Sequence, residues 1–439
     1  MKRVLVLGAG LVAGPLVRYL LDQGYKVRVA SRTLSKAEAL IGDHPQGEAR
    51  RLDVTDTATL DKLVEEADLA ISLLPYVHHV TVAQLCIKHR KNMVTTSYIG
   101  EAMRALDQEV KEAGIIILNE IGLDPGIDHM EAMRIIDGVH DKGGKIASFY
   151  SYCGGLPAPE ANTNPFGYKF SWSPRGVVLA AKNSARYLKD GEEISIPGEE
   201  LFDHYWTVKI EGLGEFEAYP NRDSIPYIET YGIPEAETMY RGTLRNPGWC
   251  ATWKRFVELG LLDEEEQDLR GLTWAGFMRR LIGGRSGDLK SELAAHLGIE
   301  EGSDVMKKFE WLGLLSEEPL PLERGSALDL LAAKLLEKLQ YEEGERDMIV
   351  LQHEFVARYP DRREKIISTL IDFGIPGEET SMARTVGLPA AIGAKLILQG
   401  EIGLKGVQVP VVPEIYRPVL AELEEQGIEF QERREVVAS

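Results

Sequence analysis

Short apolar runs alternate with segments of helical apolar spacing over the first 122 residues. Six runs have the apolar character of buried parallel strands: residues 2–7, 25–30, 49–54, 69–75, 92–98 and 114–120. The segments between them predict helices at residues 11–23, 57–66, 80–89 and 103–113. Ser35 with Glu38 predicts a capping box that opens one further short helix. This alternation predicts an α/β fold with a doubly wound parallel sheet of the Rossmann type.

The pattern changes after residue 146. Polar and apolar residues alternate in "ASFYSYCGG", "HYWTVKIEG", "FEAYP" and "TMYRGTL", which predicts the strands of a second, mixed or antiparallel sheet. Residues 253–339 are dense in leucine, glutamate and lysine and predict a largely helical stretch, and residues 385–398 and 415–426 predict two more helices. We therefore expect a second α+β domain and a helical subdomain beside the Rossmann domain.

These changes divide the chain into three predicted units. The dinucleotide-binding Rossmann domain takes residues 1–125, and the C-terminal segment from about 385 to 439 is expected to pack back on it. The α+β domain takes residues 126–255 and about 350–384. The helical subdomain takes residues 256–349. A chain of 439 residues is too long for one compact core, so several domains agree with its length.

Composition removes several classes of protein. The net charge of −19 argues against a nucleic-acid binder and against a basic membrane-surface protein. No apolar run is long enough to span a bilayer, so no membrane partner is expected. The three cysteines are far apart and form no CxxC pair, which argues against a zinc site or a disulfide framework and fits a cytoplasmic location.

The turn after the first strand carries the pattern G-x-G-x-x-A at Gly8, Gly10 and Ala13. Gly8 permits a tight turn, Gly10 lets the backbone approach a pyrophosphate, and Ala13 keeps the helix close to the strand. The start of the helix then offers free N–H groups to the phosphates. Because the motif follows a strand and opens a helix, it predicts a dinucleotide site.

The end of the second strand indicates which dinucleotide is bound. An acidic residue there would bind the ribose hydroxyls of NAD, but this chain has Ser31, Arg32 and Thr33. Arg32 cannot accept hydrogen bonds, its guanidinium suits a 2′-phosphate, and the two hydroxyls can donate to phosphate oxygens. This favours NADP, unless Arg32 is only a solvated surface residue. Asp53 and Val54 are expected beside the adenine and Leu74 beside the nicotinamide.

Several long and unusual stretches of the chain resemble one family. They are "VTTSYIG" (94–100), "NEIGLDPGIDHMEAM" (119–133), "YCGGLPAPE" (152–160), "NPFGYKFSWSPRGV" (164–177), "AYPNRDS" (218–224), "YRGTLRNPGW" (240–249) and "MARTVGLPAAIGAKLIL" (382–398). Together they resemble the saccharopine reductases, the NADP-dependent, L-glutamate-forming type of the saccharopine dehydrogenase family. The resemblance covers most of the chain and is patchy from about residue 256 to 350.

The resemblance implies an activity and a set of site residues. Such enzymes oxidise saccharopine to glutamate and 2-aminoadipate 6-semialdehyde in lysine metabolism, or run the reverse reaction, as homodimers built through the middle domain, which also binds the substrate. The residues implied to contact saccharopine are Ser97, Tyr98, Asp124, Arg222, Thr243, Leu244 and Arg245. Those implied to contact the cofactor are Leu11, Val12, Ala13, Gly14, Ser31, Arg32, Thr33, Asp53, Val54, Leu74, Thr96, Ser97, Leu123, Asp124, Pro125 and Ser173.

The chemistry gives some of these residues a reason. Saccharopine has three carboxylates, so an acidic protein needs local cations, and Arg222 and Arg245 can each bind a carboxylate unless a surface acid already pairs with them. Oxidation also requires a deprotonated amine and attack of water on an imine. The candidates for proton exchange are Asp124 first, then Tyr98, then Cys153. Each also has a structural interpretation, as a turn former, a core tyrosine and an inert buried thiol.

Neighbouring polar residues are not assigned to catalysis. Asp128 and Glu131 fit a helix cap, and His129, His78 and His79 lack the spacing of metal ligands, so no metal is expected. Two other functions remain open. One is a related reductive condensation of the carboxyspermidine type, although a diamine would require acids where Arg222 and Arg245 stand. The other is a non-catalytic NADP-binding regulatory protein.

Overall fold

The computed structural model describes residues 1–172, 174–284 and 287–437, which form two sheets flanked by helices. The strands are β1 (Arg3–Leu7), β2 (Lys26–Ser31), β3 (Gly47–Arg51), β4 (Leu69–Ser72), β5 (Asn92–Thr95), β6 (Ile116–Leu118), β7 (Lys145–Pro157), β8 (Ala185–Lys189), β9 (Glu192–Ile196), β10 (Trp206–Ile210), β11 (Gly214–Pro220), β12 (Thr238–Arg245), β13 (Gln267–Asp268), β14 (Arg324–Gly325), β15 (Asp347–Arg358), β16 (Arg363–Phe373), β17 (Gly406–Gln408) and β18 (Gln431–Val437).

The α-helices lie between and around these strands. They are α1 (Ala13–Asp22), α2 (Leu34–Ile41), α3 (Thr57–Glu65), α4 (His79–His89), α5 (Glu101–Arg104), α6 (Asp107–Ala113), α7 (Ile127–His140), α8 (Pro174–Ala180), α9 (Pro226–Thr230), α10 (Trp249–Glu258), α11 (Trp274–Leu281), α12 (Leu289–Leu297), α13 (Asp304–Leu312), α14 (Ala327–Lys338), α15 (Ser381–Gln399) and α16 (Pro413–Glu425). None of the helices in the described ranges is long and apolar enough to cross a membrane.

The first sheet is parallel throughout and has the order β17-β6-β5-β4-β1-β2-β3. Its central strands are buried on both faces, because helices cover the sheet on each side. This confirms the predicted doubly wound α/β fold. The strand order reverses between β1 and β4, and ligands of such sheets bind at the carboxyl edge near that point.

The second sheet, predicted to be mixed or antiparallel, is mixed. Its main path is β10-β11-β12-β7-β15-β16-β18, and the hairpin β8–β9 joins it at β12. The pair β7–β12 is parallel and the other neighbours are antiparallel. Helices α7, α15 and α16 lie between the two sheets and share one apolar core with both, so one face of the second sheet looks toward the first.

The C-terminal residues contribute to both sheets. Helix α15 packs closely on α1, because a Cβ on Gly387 would lie only 2.9 Å from the carbonyl oxygen of Val12. Strand β17 then extends the first sheet beside β6, and β18 extends the second sheet beside β16. The short strand β17 was not predicted, because its three residues carry no periodicity.

The outer face of the second sheet is covered by helices α10–α14, which form their own apolar core. This core is rich in aromatic residues, with Trp249 stacked on Trp253 at 4.9 Å and Phe256 stacked on Phe309 at 5.4 Å. One local prediction in the first sheet is wrong. Helix α2 begins at Leu34 and Thr33 is its N-cap residue, so Ser35 and Glu38 form no capping box.

Candidate active site

The glycine turn after β1 has the geometry of a phosphate-binding loop. Gly8 has φ of +111°, and a Cβ there would lie 3.0 Å from the carbonyl oxygen of Leu73, so only glycine fits. A Cβ on Gly10 would meet no protein atom within 4 Å. Helix α1 starts without a side-chain cap at Val12, and of its first N–H groups that of Ala13 donates to the Gly10 carbonyl oxygen at 3.2 Å. The residues therefore fit a bound pyrophosphate.

The loop after β2 places one arginine in solvent. Ser31 ends β2, Thr33 precedes α2, and Arg32 between them is exposed. Arg32 forms no ion pair with any residue in the described ranges, although it lies close enough to Asp53 to influence that carboxylate. Hydrogen bonds from Thr55 are the main cause that lowers the pKa of Asp53, and Arg32 lowers it further. An arginine without an acid partner at this position is available to a 2′-phosphate.

The other residues predicted for the cofactor also follow the carboxyl ends of strands. Leu74 follows β4, Thr96 and Ser97 follow β5, and the segment Leu123–Pro125 follows β6. Val54 follows β3, and Leu11 and Gly14 flank the start of α1. All of them lie at the edge where doubly wound sheets bind dinucleotides. Ser173, also predicted for this site, lies outside the described residues.

A buried histidine lies directly behind Ser97. The imidazole of His79 is hydrogen-bonded to the Ser72 hydroxyl through Nδ1 at 2.9 Å and to the Ser97 hydroxyl through Nε2 at 2.8 Å. Burial lowers the pKa of His79 to about 4, so the ring is neutral at physiological pH. His79 therefore fixes the orientation of a residue predicted to contact both substrate and cofactor, which the sequence did not indicate.

Tyr98 and Asp124 meet at this edge and are joined by a cation from the second sheet. The Tyr98 hydroxyl donates to Asp124 Oδ1 at 2.9 Å. Arg241 of β12 donates through Nη2 to Asp124 Oδ1 and, at 2.8 Å, to Asp128 Oδ2. Sequence reasoning missed Arg241. The signal that could have found it is a single charge inside the strand "TMYRGTL", because buried arginines are almost always paired.

Burial and neighbouring charges shift the pKa values of the acidic groups in this cluster. Burial raises the pKa of Asp124, while Arg241 acts in the opposite direction and Asp128 adds to the rise. Burial would also raise the pKa of Asp128, but His129 and Arg241 together lower it. Burial raises the pKa of Tyr98 well above its ordinary value, so this phenol stays protonated and acts as a donor.

Arg222 and Tyr98 border one cavity of about 720 Å³ between the lobes. The Arg222 guanidinium lies 5.2 Å from the centre of the Tyr98 ring, and its backbone has φ of +56°. It forms no ion pair with an acid of the described chain. Arg241 and Tyr227 line the same cavity, together with residues of the β8–β9 hairpin. An unpaired guanidinium that faces a cavity fits a substrate carboxylate.

Arg245 lies four residues after Arg241 and is held differently. Its guanidinium stacks on Tyr168 at 5.0 Å and on Trp249 at 5.1 Å, and Nη1 donates to the Leu244 carbonyl. Nε is buried without a hydrogen-bond partner, and no described acid pairs with the side chain. Arg245 is not among the residues that line the cavity with Arg222, so the structure does not bring the two predicted arginines to one cavity surface.

Cys153 comes from the second lobe, on β7. It pairs in register with Thr243 of β12, and Asp124, Arg241 and Arg245 all influence its thiol. Burial raises the pKa of Cys153 well above its ordinary value, so the thiol is not ionised. The structure brings all three candidates for proton exchange to one region, and of the three only Asp124 is a carboxylate.

A buried hydrogen-bonded group of side chains packs behind this cluster. Its members are Glu120, His129, Tyr227 and Tyr231. His129 is hydrogen-bonded to Glu120 Oε2 at 2.8 Å and to the Tyr231 hydroxyl at 2.6 Å, and Glu120 also accepts from the backbone N–H of Ile99. His129 is thus a satisfied core histidine.

The predicted helix cap of Asp128 and Glu131 is formed by Asp128 alone. The N-cap residue of helix α7 is Gly126, which has no side chain of its own to cap the first turn. Asp128 accepts from the backbone N–H of Gly126 and from Arg241, whereas Glu131 binds Arg134 and Ser368. Glu131 takes no part in the cap because its carboxylate is occupied by Arg134 one turn later and by Ser368 of the second sheet.

Comparison with known families identifies the chain. Residues 4–118 match the family model "Saccharopine dehydrogenase NADP binding domain", and residues 122–428 match "Saccharopine dehydrogenase C-terminal domain". The chain belongs to the saccharopine dehydrogenase family. The resemblance inferred from the sequence motifs is thereby confirmed.

Known relatives support the same assignment over the full length. The chain is 44% identical to the saccharopine dehydrogenase [NADP(+), L-glutamate-forming] of Pyricularia oryzae, across 98% of this chain and 99% of that protein. The structure of apo saccharopine dehydrogenase (L-Glu forming) from Saccharomyces cerevisiae matches with a TM-score of 0.90 and 44% identity, over 100% of both chains.

A more distant structure shares the fold only. The homospermidine synthase of Legionella pneumophila, solved in complex with NAD, matches with a TM-score of 0.58 over 98% of this chain and 91% of that one, but is only 11% identical.

Proposed function

We propose that this protein is an NADP-dependent saccharopine dehydrogenase of the L-glutamate-forming type, an oxidoreductase of lysine metabolism. It interconverts saccharopine with L-glutamate and 2-aminoadipate 6-semialdehyde. One observation carries this proposal: Tyr98, at the cofactor edge of the first sheet, and Arg222, from the second lobe, border the same cavity. The cavity therefore lies between the edge of the sheet that is expected to bind the dinucleotide and a cation without an acid partner in the described ranges. Oxidation of an amine that carries carboxylates requires both, the dinucleotide to accept hydride and the cation to bind a carboxylate.

The residues divide the chemistry as follows. When bound, NADP supplies the acceptor for the hydride that leaves the carbon next to the secondary nitrogen. Asp124 accepts the proton of the substrate ammonium, because of the two carboxylates that Arg241 binds it is the more exposed, at 14% against 1% for Asp128. Tyr98 donates to Asp124 and limits its motion. Arg222, which borders the cavity, holds one carboxylate of the substrate, so that the reacting carbon keeps one orientation. Arg245 lies outside the surface that Arg222 borders and is proposed to hold a second carboxylate from there. Water then adds to the C=N bond, and the C–N bond breaks to release the two products.

NADP is bound through the loop residues already described. Gly10 and the start of α1 receive the pyrophosphate, and Ser31, Arg32 and Thr33 receive the 2′-phosphate. Arg32 is exposed and forms no ion pair within the described ranges, which leaves its guanidinium available to this phosphate. The test below separates this assignment from the alternative that Arg32 is only a solvated surface residue. The carboxyspermidine-type enzyme and the regulatory protein are not favoured, since full-length relatives share the saccharopine dehydrogenase name.

The direct test compares NADP⁺ with NAD⁺ for oxidation of saccharopine by wild type and Arg32→Ala, followed as absorbance of the reduced cofactor. We expect Arg32→Ala to lower kcat/KM for NADP⁺ by about 10- to 100-fold, because a charge-assisted phosphate contact contributes about 1.5–3 kcal/mol. The value for NAD⁺ should change little. Equal losses for both cofactors would contradict the assignment. Arg90→Ala is the matched control, since Arg90 is exposed beyond α4, at the opposite edge of the sheet.

We also propose the domain division, location and assembly. The Rossmann unit takes residues 1–125, with support from the segment after 385; the substrate and dimerisation unit takes residues 126–255 and about 350–384; the helical unit takes residues 256–349. The protein is cytoplasmic and forms a homodimer through the middle unit. Light scattering of the purified protein tests the dimer, and a monomeric mass at micromolar concentration would refute it.

A further inference from the structure

Arg241 is a buried cation that links the two lobes at the proposed active site. It lies on β12 of the second sheet, its side chain is only 2% exposed, and its acid partners lie at the edge of the first sheet. Its guanidinium is 4.5 Å from the centre of the Tyr227 ring and 5.5 Å from that of Tyr98. The two rings and the two acids leave this side chain little freedom to move.

The hydrogens of Arg241 can be assigned by counting. Nη2 lies within hydrogen-bond distance of Tyr98, Asp124 and Asp128, but an Nη nitrogen carries only two hydrogens. The Tyr98 hydroxyl uses its own hydrogen to donate to Asp124 Oδ1. The two Nη2 hydrogens therefore go to Asp124 and Asp128. Oδ1 of Asp124 accepts two hydrogen bonds, and its Oδ2 receives none from the described part of the chain.

We propose that Arg241 is a positioning residue that, together with Tyr98, holds Oδ1 of Asp124 so that Oδ2 is presented to the secondary ammonium of the substrate. This inference rests on the proposed function. The proton of the N–H bond passes to Oδ2, and the nitrogen keeps the electron pair. That pair forms the C=N bond as the neighbouring carbon loses its hydride to NADP⁺. Asp124 then carries the proton, and Arg241 keeps Oδ1 in place.

Charges around Asp124 give this role a distinctive pH dependence. The titratable and charged groups that face Asp124 are Arg241 on β12, Asp128 and His129 on α7, Cys153 on β7, Tyr227 on α9 and Tyr98 after β5. Arg241 opposes the rise in the pKa of Asp124 that burial causes, whereas Asp128 adds to it. Removing the cation should therefore raise this pKa, and neutralising Asp128 should lower it. Loss of packing alone would not give opposite shifts.

The experiment measures kcat/KM for saccharopine oxidation against pH at saturating NADP⁺ in wild type, Arg241→Gln, Arg241→Lys and Asp128→Asn. For Arg241→Gln we expect the acid limb to move up by at least about one pH unit, with at least about a tenfold loss below it. Arg241→Lys, which keeps the charge, should shift less. Asp128→Asn should move the limb down. Dissociation constants for NADPH, from its fluorescence, should stay within about threefold of wild type.

A matched control separates this role from general stability. Arg28 is also a buried arginine that binds two acids, Glu48 and Glu66, but it lies inside β2. Arg28→Gln should lower the melting temperature and leave the acid limb where it is in wild type.

Two results would overturn the inference: an unchanged acid limb in Arg241→Gln, or shifts of the same sign in Arg241→Gln and Asp128→Asn. If Arg241→Gln does not fold, Arg241→Lys and Asp128→Asn decide, and unmoved limbs in both reject the role. Failure of the proposed function is seen separately and earlier. In that case wild type itself would not oxidise saccharopine, and the role given to Arg241 would fall with it.

Discussion

Arg241 and Arg245 lie on the same strand and, by the alternation of side chains, on the same face of the second sheet, yet their surroundings differ. Arg241 binds Asp124 and Asp128 through Nη2, while its Nε and Nη1 are buried without a hydrogen-bond partner in the described ranges. Arg245 contacts the rings of Tyr168 and Trp249 and has no acid partner in the described ranges. A guanidinium that binds two carboxylates organises the protein, whereas one held by aromatic faces and a backbone carbonyl, without an acid, keeps its charge for a ligand.

The largest expected difference between the two arginines is in stability. Arg241→Met leaves two buried carboxylates without their cation and should cost about 3–5 kcal/mol in the free energy of unfolding. Arg245→Met removes a buried cation that has no acid and an unsatisfied Nε, and should cost about 1 kcal/mol or less, since methionine still packs on the two rings. Urea denaturation followed by tryptophan fluorescence measures both. Equal losses would show that the two arginines are equivalent structural cations.

Replacing Arg245 should affect catalysis strongly although it affects stability little. Arg245→Met should raise KM for saccharopine and lower kcat/KM by about 10- to 100-fold, because a hydrogen bond to a charged group contributes about 1.5–3 kcal/mol. The acid limb of the pH profile should not move, which separates this variant from Arg241→Gln. Steady-state kinetics at saturating NADP⁺ provide the measurement. A normal KM for Arg245→Met would exclude it from the substrate site.

The smallest effect concerns His353, a third polar residue on this face. Register pairs Arg241 with Ser151 and Ser151 with His353, which is buried against Phe149 and Phe355 with both ring nitrogens unpartnered. His353→Phe should raise the free energy of unfolding by about 1 kcal/mol, because it removes unsatisfied polar atoms. The urea midpoint at pH 7 measures this gain.

The gain from His353→Phe should depend on pH. Burial lowers the pKa of His353 from 6.5 in the unfolded chain to about 3. Below pH 6.5 the unfolded state therefore binds a proton that the folded state does not, and wild type loses stability as the pH falls toward 3. Phenylalanine has no such loss, so its advantage should widen over this window. A constant difference from pH 7 to pH 4 would show that His353 is charged in the folded protein.

Local sequence patterns predicted the structure correctly where all the residues that form a feature are close together in the chain. The turn at Gly8 and Gly10 follows directly from a strand, a glycine spacing and a helix, all within about a dozen residues. The capping box predicted at Ser35 was wrong, and of the cap predicted from Asp128 and Glu131 only Asp128 contributes. Short signatures compete with tertiary contacts that they do not describe. The motifs around Tyr98 and Asp124 indicated a site, but not how its members are held.

The sequence by itself determined the doubly wound sheet, the phosphate loop and the family, because each follows from periodicity or from contiguous motifs. Only the tertiary structure decided that Arg241 binds Asp124 across 117 positions of the chain and that Arg245 binds no acid. Both arginines stand in one strand four residues apart, and the alternation of that strand does not distinguish them. The difference arises because the second sheet packs on the carboxyl edge of the first and brings Asp124 and Asp128 to Arg241, whereas the rings around Arg245 belong to Tyr168 and Trp249 of the second unit itself.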